Sequence, residues 1–105
     1  MNLQQLFLLG RSTRDAEVLE SKEGKSYAKF SLAVNEFRQT GAERETYTQY
    51  YNVLVFGKRS GRAEAIKKGD LVMVDGRPDV DAYLSNDGEP KASLIVFADR
   101  FRIMK

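Results

Sequence analysis

Cysteine and histidine are both absent from the 105 residues. Without cysteine there can be no disulfide and no thiolate metal site. Without histidine the commonest metal ligand and general acid–base group is missing. No nucleophile–base pair or metal cluster can be assembled from what remains, so neither an enzyme nor a metal or cofactor site is expected. Long hydrophobic runs are also missing: nothing approaches the length of a bilayer span, and no basic segment followed by an apolar one opens the chain. No membrane partner is expected, and a cytoplasmic location is. A charge excess of either sign is wanting too, with 17 Lys and Arg against 15 Asp and Glu, a net of +2. The molecule is no polycation, and contact with a polyanion would have to come from local clusters of basic side chains.

What is present suffices for one folded domain over residues 1–105. The hydrophobic fraction of 42% is too high for a disordered chain, and the length allows one core but not two. Five extended segments emerge. The first runs from about Leu3 to Arg11 and carries Leu6–Phe7–Leu8–Leu9; a charged stretch, Val18–Leu19 and a turn around Gly24 follow. The second, about Ser26 to Phe37, alternates cleanly, with Ala28, Phe30, Leu32 and Val34 against Tyr27, Lys29, Ser31, Ala33, Asn35 and Phe37. A polar loop leads to the third, and a short, polar helical segment is predicted over Arg59–Lys68, with Gly69 in the position that ends a helix. The fourth spans Leu71 to about Tyr83, where Gly76 and Pro78 suggest a bulge or an edge. Asn86–Asp87–Gly88 is a hairpin turn, and the fifth strand covers about Lys91 to Met104. Strands in the order β-β-β-α-β-β predict an all-β, five-stranded OB-fold Greek-key barrel with one short helix between strands 3 and 4. A five-stranded sandwich of another topology is the alternative.

The third strand, Tyr47 to Lys58, is the most informative. Successive side chains of a strand point to opposite faces, so Tyr50, Asn52, Leu54 and Phe56 share one side and Tyr47, Gln49, Tyr51, Val53 and Val55 the other. Both sides carry large rings, although a domain this small can cover only one. Uncovered rings beside Lys and Arg suit the stacking of unpaired bases. The competing reading for Tyr50 and Phe56 is a packed core, the usual place for strand aromatics. Tyr47 and Tyr51, on the other side, are assigned to the core or a subunit interface.

Taken together, several segments resemble bacterial single-stranded DNA-binding proteins. They are Leu6–Phe7–Leu8–Leu9–Gly10–Arg11 with Thr13–Arg14–Asp15, then Ala28 to Val34, then Tyr50 to Lys58, then Lys67 to Arg77, then Asn86–Asp87–Gly88 before the apolar last strand. Each piece alone is weak; their order and spacing are specific. The resemblance implies an OB-fold that binds single-stranded DNA with little sequence preference in replication, recombination or repair. It implies a homotetramer, with a dimer as fallback, in the bacterial cytoplasm at the nucleoid. Base-stacking rings would fall on Phe37, Tyr50, Phe56 and Tyr83. This chain has no Trp, which relatives often use there, yet a ring stands at each place. Arg11, Lys29, Lys58 and Arg77 are the expected phosphate contacts, although a strand-face cation is by default only a solvated charge.

Two departures from that pattern stand out. Asp79–Val80–Asp81 is acidic where the family is commonly basic; a solvated edge guarded against mispairing is expected, with local repulsion of phosphate. The sequence ends at Lys105, directly after the last strand, where relatives continue into a linker and an acidic, partner-recruiting tail; either the sequence is trimmed there or the tail-mediated recruitment of replication partners is lacking. Two other assignments fit the same fold: a dimeric primosomal replication protein, and a protein-interaction OB module whose rings form an interface.

Overall fold

The structure, a computed structural model, describes residues 3–104. Its elements are β1 (Leu6–Ser12), β2 (Glu17–Glu20), β3 (Ser26–Thr40), β4 (Glu43–Phe56), a 3-10 turn (Gly57–Arg59) running into α1 (Ser60–Ala63), β5 (Leu71–Leu84) and β6 (Pro90–Met104). They form one sheet in the order β1-β5-β6-β4-β3-β2, which a further β1–β3 pairing closes into a ring. This is the expected OB-fold barrel. The five predicted strands are all present, and Val18–Leu19 add a short sixth that pairs with the start of β3.

The alternation of β3 sets the core. Ala28, Phe30 and Leu32 point inward and meet Leu8, Val53, Val55, Val72, Val74 and Val96, all buried. Burying each of the larger side chains contributes about 1.5–3 kcal/mol. Ala63 and Ile66, from α1 and the turn after it, stopper the barrel and are fully buried.

The helical segment is shorter than predicted, a single α-turn over Ser60–Ala63 rather than Arg59–Lys68. Beyond it the backbone continues in turns, and carboxylates take up the free amides: the Lys67 N–H donates to Asp70 Oδ2 and the Lys68 N–H to Asp15 Oδ1, each at 2.9 Å. With only Ala63 and Ile66 to bury, the segment has no apolar stripe to stabilise a longer helix.

The barrel corners need glycine. A Cβ on Gly10 would lie 2.6 Å from the Ala33 carbonyl oxygen, and one on Gly76 2.2 Å from that of Phe97. The bulge expected near Gly76 and Pro78 falls between Asp75 and Gly76. Past it, β5 has lost β1 as a neighbour, since their register ends at Leu6↔Gly76. The β5–β6 hairpin therefore continues as an arm to Leu84↔Pro90, and the β3–β4 hairpin makes a second arm to Thr40↔Glu43.

Candidate nucleic-acid interface

Directly paired residues on neighbouring strands point to the same side of a sheet, so the register shows which side chains share a surface. Outward residues of β3 and β4 pair as Tyr27↔Phe56, Lys29↔Leu54, Ser31↔Asn52 and Ala33↔Tyr50. The parallel β4–β6 ladder continues these rows to Phe97 (from Leu54) and Ile95 (from Asn52). From β6 they pass to β5 as Phe97↔Arg77, Ile95↔Asp79, Ser93↔Asp81 and Lys91↔Tyr83. One surface thus crosses four strands.

Its middle is a ladder of rings. Tyr27 stacks on Phe56 with centroids 5.2 Å apart and planes 21° from parallel, and Phe56 meets Phe97 at 6.3 Å. The Arg77 guanidinium lies 5.8 Å from the Phe97 centroid, a cation–π contact that ends the ladder. These contacts leave Tyr27 and Phe97 half-buried but fix Phe56 without covering it, at 47% exposed; Tyr50, outside the ladder, is 61% exposed. Neither belongs to the buried core, because the inward positions of β4 are Val53 and Val55. Tyr50 lines a shallow groove between β4 and β6 with Thr48, Asn52, Ser93 and Leu94.

Phe37 and Tyr83 lie on the two arms, both exposed. The Arg44 guanidinium stands 4.0 Å over the Phe37 ring, and Tyr83 sits opposite Lys91. Lys29 is exposed beside the ladder, near Tyr27, Leu54 and Phe56. Lys58 is exposed but has left the sheet, because Gly57 turns the chain with φ of 80° immediately after Phe56. Arg11 is level with Tyr50 through Ala33, and its Nη1 donates to the Gly69 carbonyl at 3.2 Å. The structure therefore gathers Phe56, Lys29 and Arg77 around one ladder with Tyr50 and Arg11 next to it. Phe37, Tyr83 and Lys58 stand further out.

Of the two rings assigned to the core or a subunit interface, only one packs on the core. Tyr51 is half-buried against the core, but Tyr47 lies in the β3–β4 arm, where no second layer covers it among the described residues. It lies outside the core, with the Arg38 guanidinium 4.9 Å from its ring.

Two ladder residues were not among the expected stacking rings. Tyr27 carried a signal, since it alternates with Lys29 on the outward side of its strand. Phe97 carried none: Leu94–Ile95–Val96–Phe97 is apolar throughout, and the side each residue takes depends on the parallel pairing with β4. Asp79 and Asp81 are exposed on an edge, as expected, but on the same face as the rings.

A second apolar surface lies elsewhere on the barrel. Phe7, Leu9, Met73 and Met104 are exposed on the outer side of β1, β5 and β6. Beside it Asp75, nearly fully buried, accepts from Arg100 Nε at 2.9 Å and from Arg100 Nη2. Removing Arg100 would leave a buried carboxylate uncompensated, the costly way to break such a pair.

Comparison with known proteins agrees with this architecture. Residues 3–104 match the model of the single-strand binding protein family. Single-stranded DNA-binding protein 1 of Staphylococcus aureus (strain Mu50) is 33% identical over 104 residues, spanning 98% of this chain and 66% of that one. The single-stranded DNA-binding protein of Thermus thermophilus is 38% identical over 87 residues, 83% of this chain and 32% of the relative. The present chain thus spans just under two thirds of the first relative and about a third of the second. A crystal structure of a small single-stranded DNA-binding protein from Streptomyces coelicolor superposes with a TM-score of 0.82, covering 99% of this chain and 96% of that one at 20% identity. That likeness speaks to the fold.

Proposed function

The chain belongs to the single-strand binding protein family, and we propose that it binds single-stranded DNA, without catalysis, on the surface that runs from β3 to β5. The supporting observation is the ladder Tyr27–Phe56–Phe97, half-buried at its two flanking rings and exposed at Phe56, with a cation at its end and Lys29 at its side. Rings held in place but left uncovered lose little further side-chain entropy when a base stacks on them. Each stacked base contributes about 1–3 kcal/mol, whatever its identity. Tyr50 and Phe56 are the central stacking pair, with Phe37 and Tyr83 extending the path onto the arms. Lys29, Arg77, Arg11 and Lys58 offset phosphate charge. If all four make contacts, log K should fall against log salt with a slope of about −2.8, at roughly −0.7 per contact.

One such surface makes a short footprint, and assembly multiplies it. We propose a homotetramer, or failing that a dimer, joined through the exposed Phe7, Leu9, Met73 and Met104, which lie apart from the ring ladder. Protection of single strands during replication, recombination or repair at the bacterial nucleoid is the corresponding role. Titration with oligo-dT at low salt, followed by tyrosine emission, tests the binding. Quenching that saturates and reverses with added salt is expected; an unchanged signal together with no change in light-scattering mass would refute it. The mass of the free protein separates tetramer, dimer and monomer.

A further inference from the structure

Phe7 of β1, Asp75 of β5 and Arg100 of β6 pair directly across three neighbouring strands and so share one side of the sheet. Met73 and Arg102 pair in the next row of that side. Where these rows meet the 3-10 turn and α1, they border an open cavity of about 480 Å³. Small-molecule sites commonly measure about 300–1,000 Å³. Phe7, Met73 and Phe101 give the cavity apolar walls, and Arg59, Arg62, Arg100 and Arg102 stand around them. The Arg62 guanidinium lies 5.8 Å from the Phe101 centroid, a cation–π contact that holds it there. Four arginines thus face one carboxylate, that of Asp75, and Arg100 already pairs with it. Arg59, Arg62 and Arg102 form no ion pair among the described residues.

Asp75 supplies a second, independent observation. Arg100 Nε and Nη2 both donate to its Oδ2, whereas Oδ1 is buried and has no hydrogen-bond partner among the described residues. A buried acceptor without a donor is costly, and a ligand that donates to it removes that cost. A suitable ligand therefore has a flat body for the apolar walls, an N–H for Asp75 Oδ1 and several negative charges for the unpaired arginines. An internal nucleotide of a DNA strand brings a single phosphate charge, whereas a nucleoside triphosphate brings several. We propose that this cavity binds a nucleoside triphosphate whose base carries an amino group. That group donates to Asp75 Oδ1, the base lies against Phe7 and Phe101, and the phosphates lie among Arg59, Arg62 and Arg102. The site is separate from the ring-bearing surface, which uses β5 only beyond the bulge, from Arg77 onward. Phe7 and Met73 also belong to the face proposed for assembly, so the nucleotide is a ligand of the unassembled chain.

The test is an NMR titration with adenosine triphosphate, in magnesium-free buffer and at the lowest protein concentration that gives a spectrum. Amide signals should move and saturate around Met73, Asp75 and Arg102, and stay in place around Tyr27 and Phe56. Purine riboside triphosphate, which lacks only the amino group, should bind about tenfold more weakly or worse. Inorganic tripolyphosphate, which offers charge alone, should bind more weakly still. The Arg59→Ala/Arg102→Ala double variant should lose about tenfold or more in affinity for adenosine triphosphate while binding oligo-dT like the parent. Both positions are exposed, so the fold should be kept, which circular dichroism checks. Three results would each overturn the proposal: no saturable shift, shifts confined to the ring ladder, or equal affinity for adenosine triphosphate and either comparison ligand. Oligo-dT binding is read separately, so failure here leaves the single-strand reading intact.

Discussion

Replacing Phe56 by alanine separates a stacking ring from a structural one, because the two roles have different energies. Its ring lies between Tyr27 at 5.2 Å and Phe97 at 6.3 Å and is about half covered. Full burial of a phenylalanine contributes up to about 3 kcal/mol, so the covered half is worth roughly 1–1.5 kcal/mol. Its ring contacts add about 0.5–1.5 kcal/mol. Stability should fall by about 1.5–3 kcal/mol, against about 3–5 kcal/mol for a fully buried ring. Binding should lose one stacked base, about 1–3 kcal/mol, or roughly 5- to 150-fold in Kd. No charge is removed, so the salt slope should be unchanged. Urea melts give the stability, and oligo-dT titrations at three or more salt concentrations give the affinity and the slope. A variant that folds, keeps its mass and binds as tightly as the parent would refute stacking on Phe56. A loss of more than about 4 kcal/mol would show that the ring is structural after all.

Tyr50→Ala should weaken oligo-dT by the same 5- to 150-fold, with a smaller loss of stability because that ring is more exposed; dissociation of the assembly on a sizing column would assign it to an interface instead. Exchanging both Asp79 and Asp81 for lysine should tighten oligo-dT at low salt and steepen the salt slope, and an unaltered isotherm would mean that the strand never approaches the β5–β6 arm. Gly76→Ala places a Cβ against the Phe97 carbonyl at a point where backbone cannot yield; a loss of about 1–3 kcal/mol in a urea melt is expected, and full stability would contradict the close approach. In the β5–β6 turn, the Ser85 hydroxyl and then the Glu89 N–H hold the Asp87 carboxyl below its ordinary value. This contribution is present above the unfolded-state pKa and is lost as pH falls through the lower folded one. An NMR titration should find Asp87 among the most acidic carboxyls, and Ser85→Ala should move it upward.

Several parts of the molecule are legible in the order of its amino acids. The alternation Ala28–Phe30–Leu32 marks one side of β3 as core, and the structure buries those residues. The same two-residue period puts Tyr50 and Phe56 on a common side, and both emerge exposed. Tyr47 shows the limit of that logic. It has the parity of Val53 and Val55, yet the strand outruns the barrel before reaching it, and parity cannot report where the second layer ends. The helical segment shows another limit: its composition allowed ten residues, but only Ala63 and Ile66 find a core to enter.

What the sequence determined on its own is local: strand period, turn positions, the inward side of β3, and the absence of cysteine and histidine. These follow from backbone geometry and side-chain chemistry over a few residues. Tertiary structure alone decided that Tyr27, Phe56 and Phe97 form one ladder, and that Asp79 and Asp81 share its surface. Those neighbours come from the parallel β4–β6 register, the bulge at Asp75 and Gly76, and the β1–β3 pairing that closes the ring. A shift of one residue in any ladder would turn each side chain of that strand to the opposite face. Such a register is set by packing between segments far apart in the chain, where local periodicity carries no information.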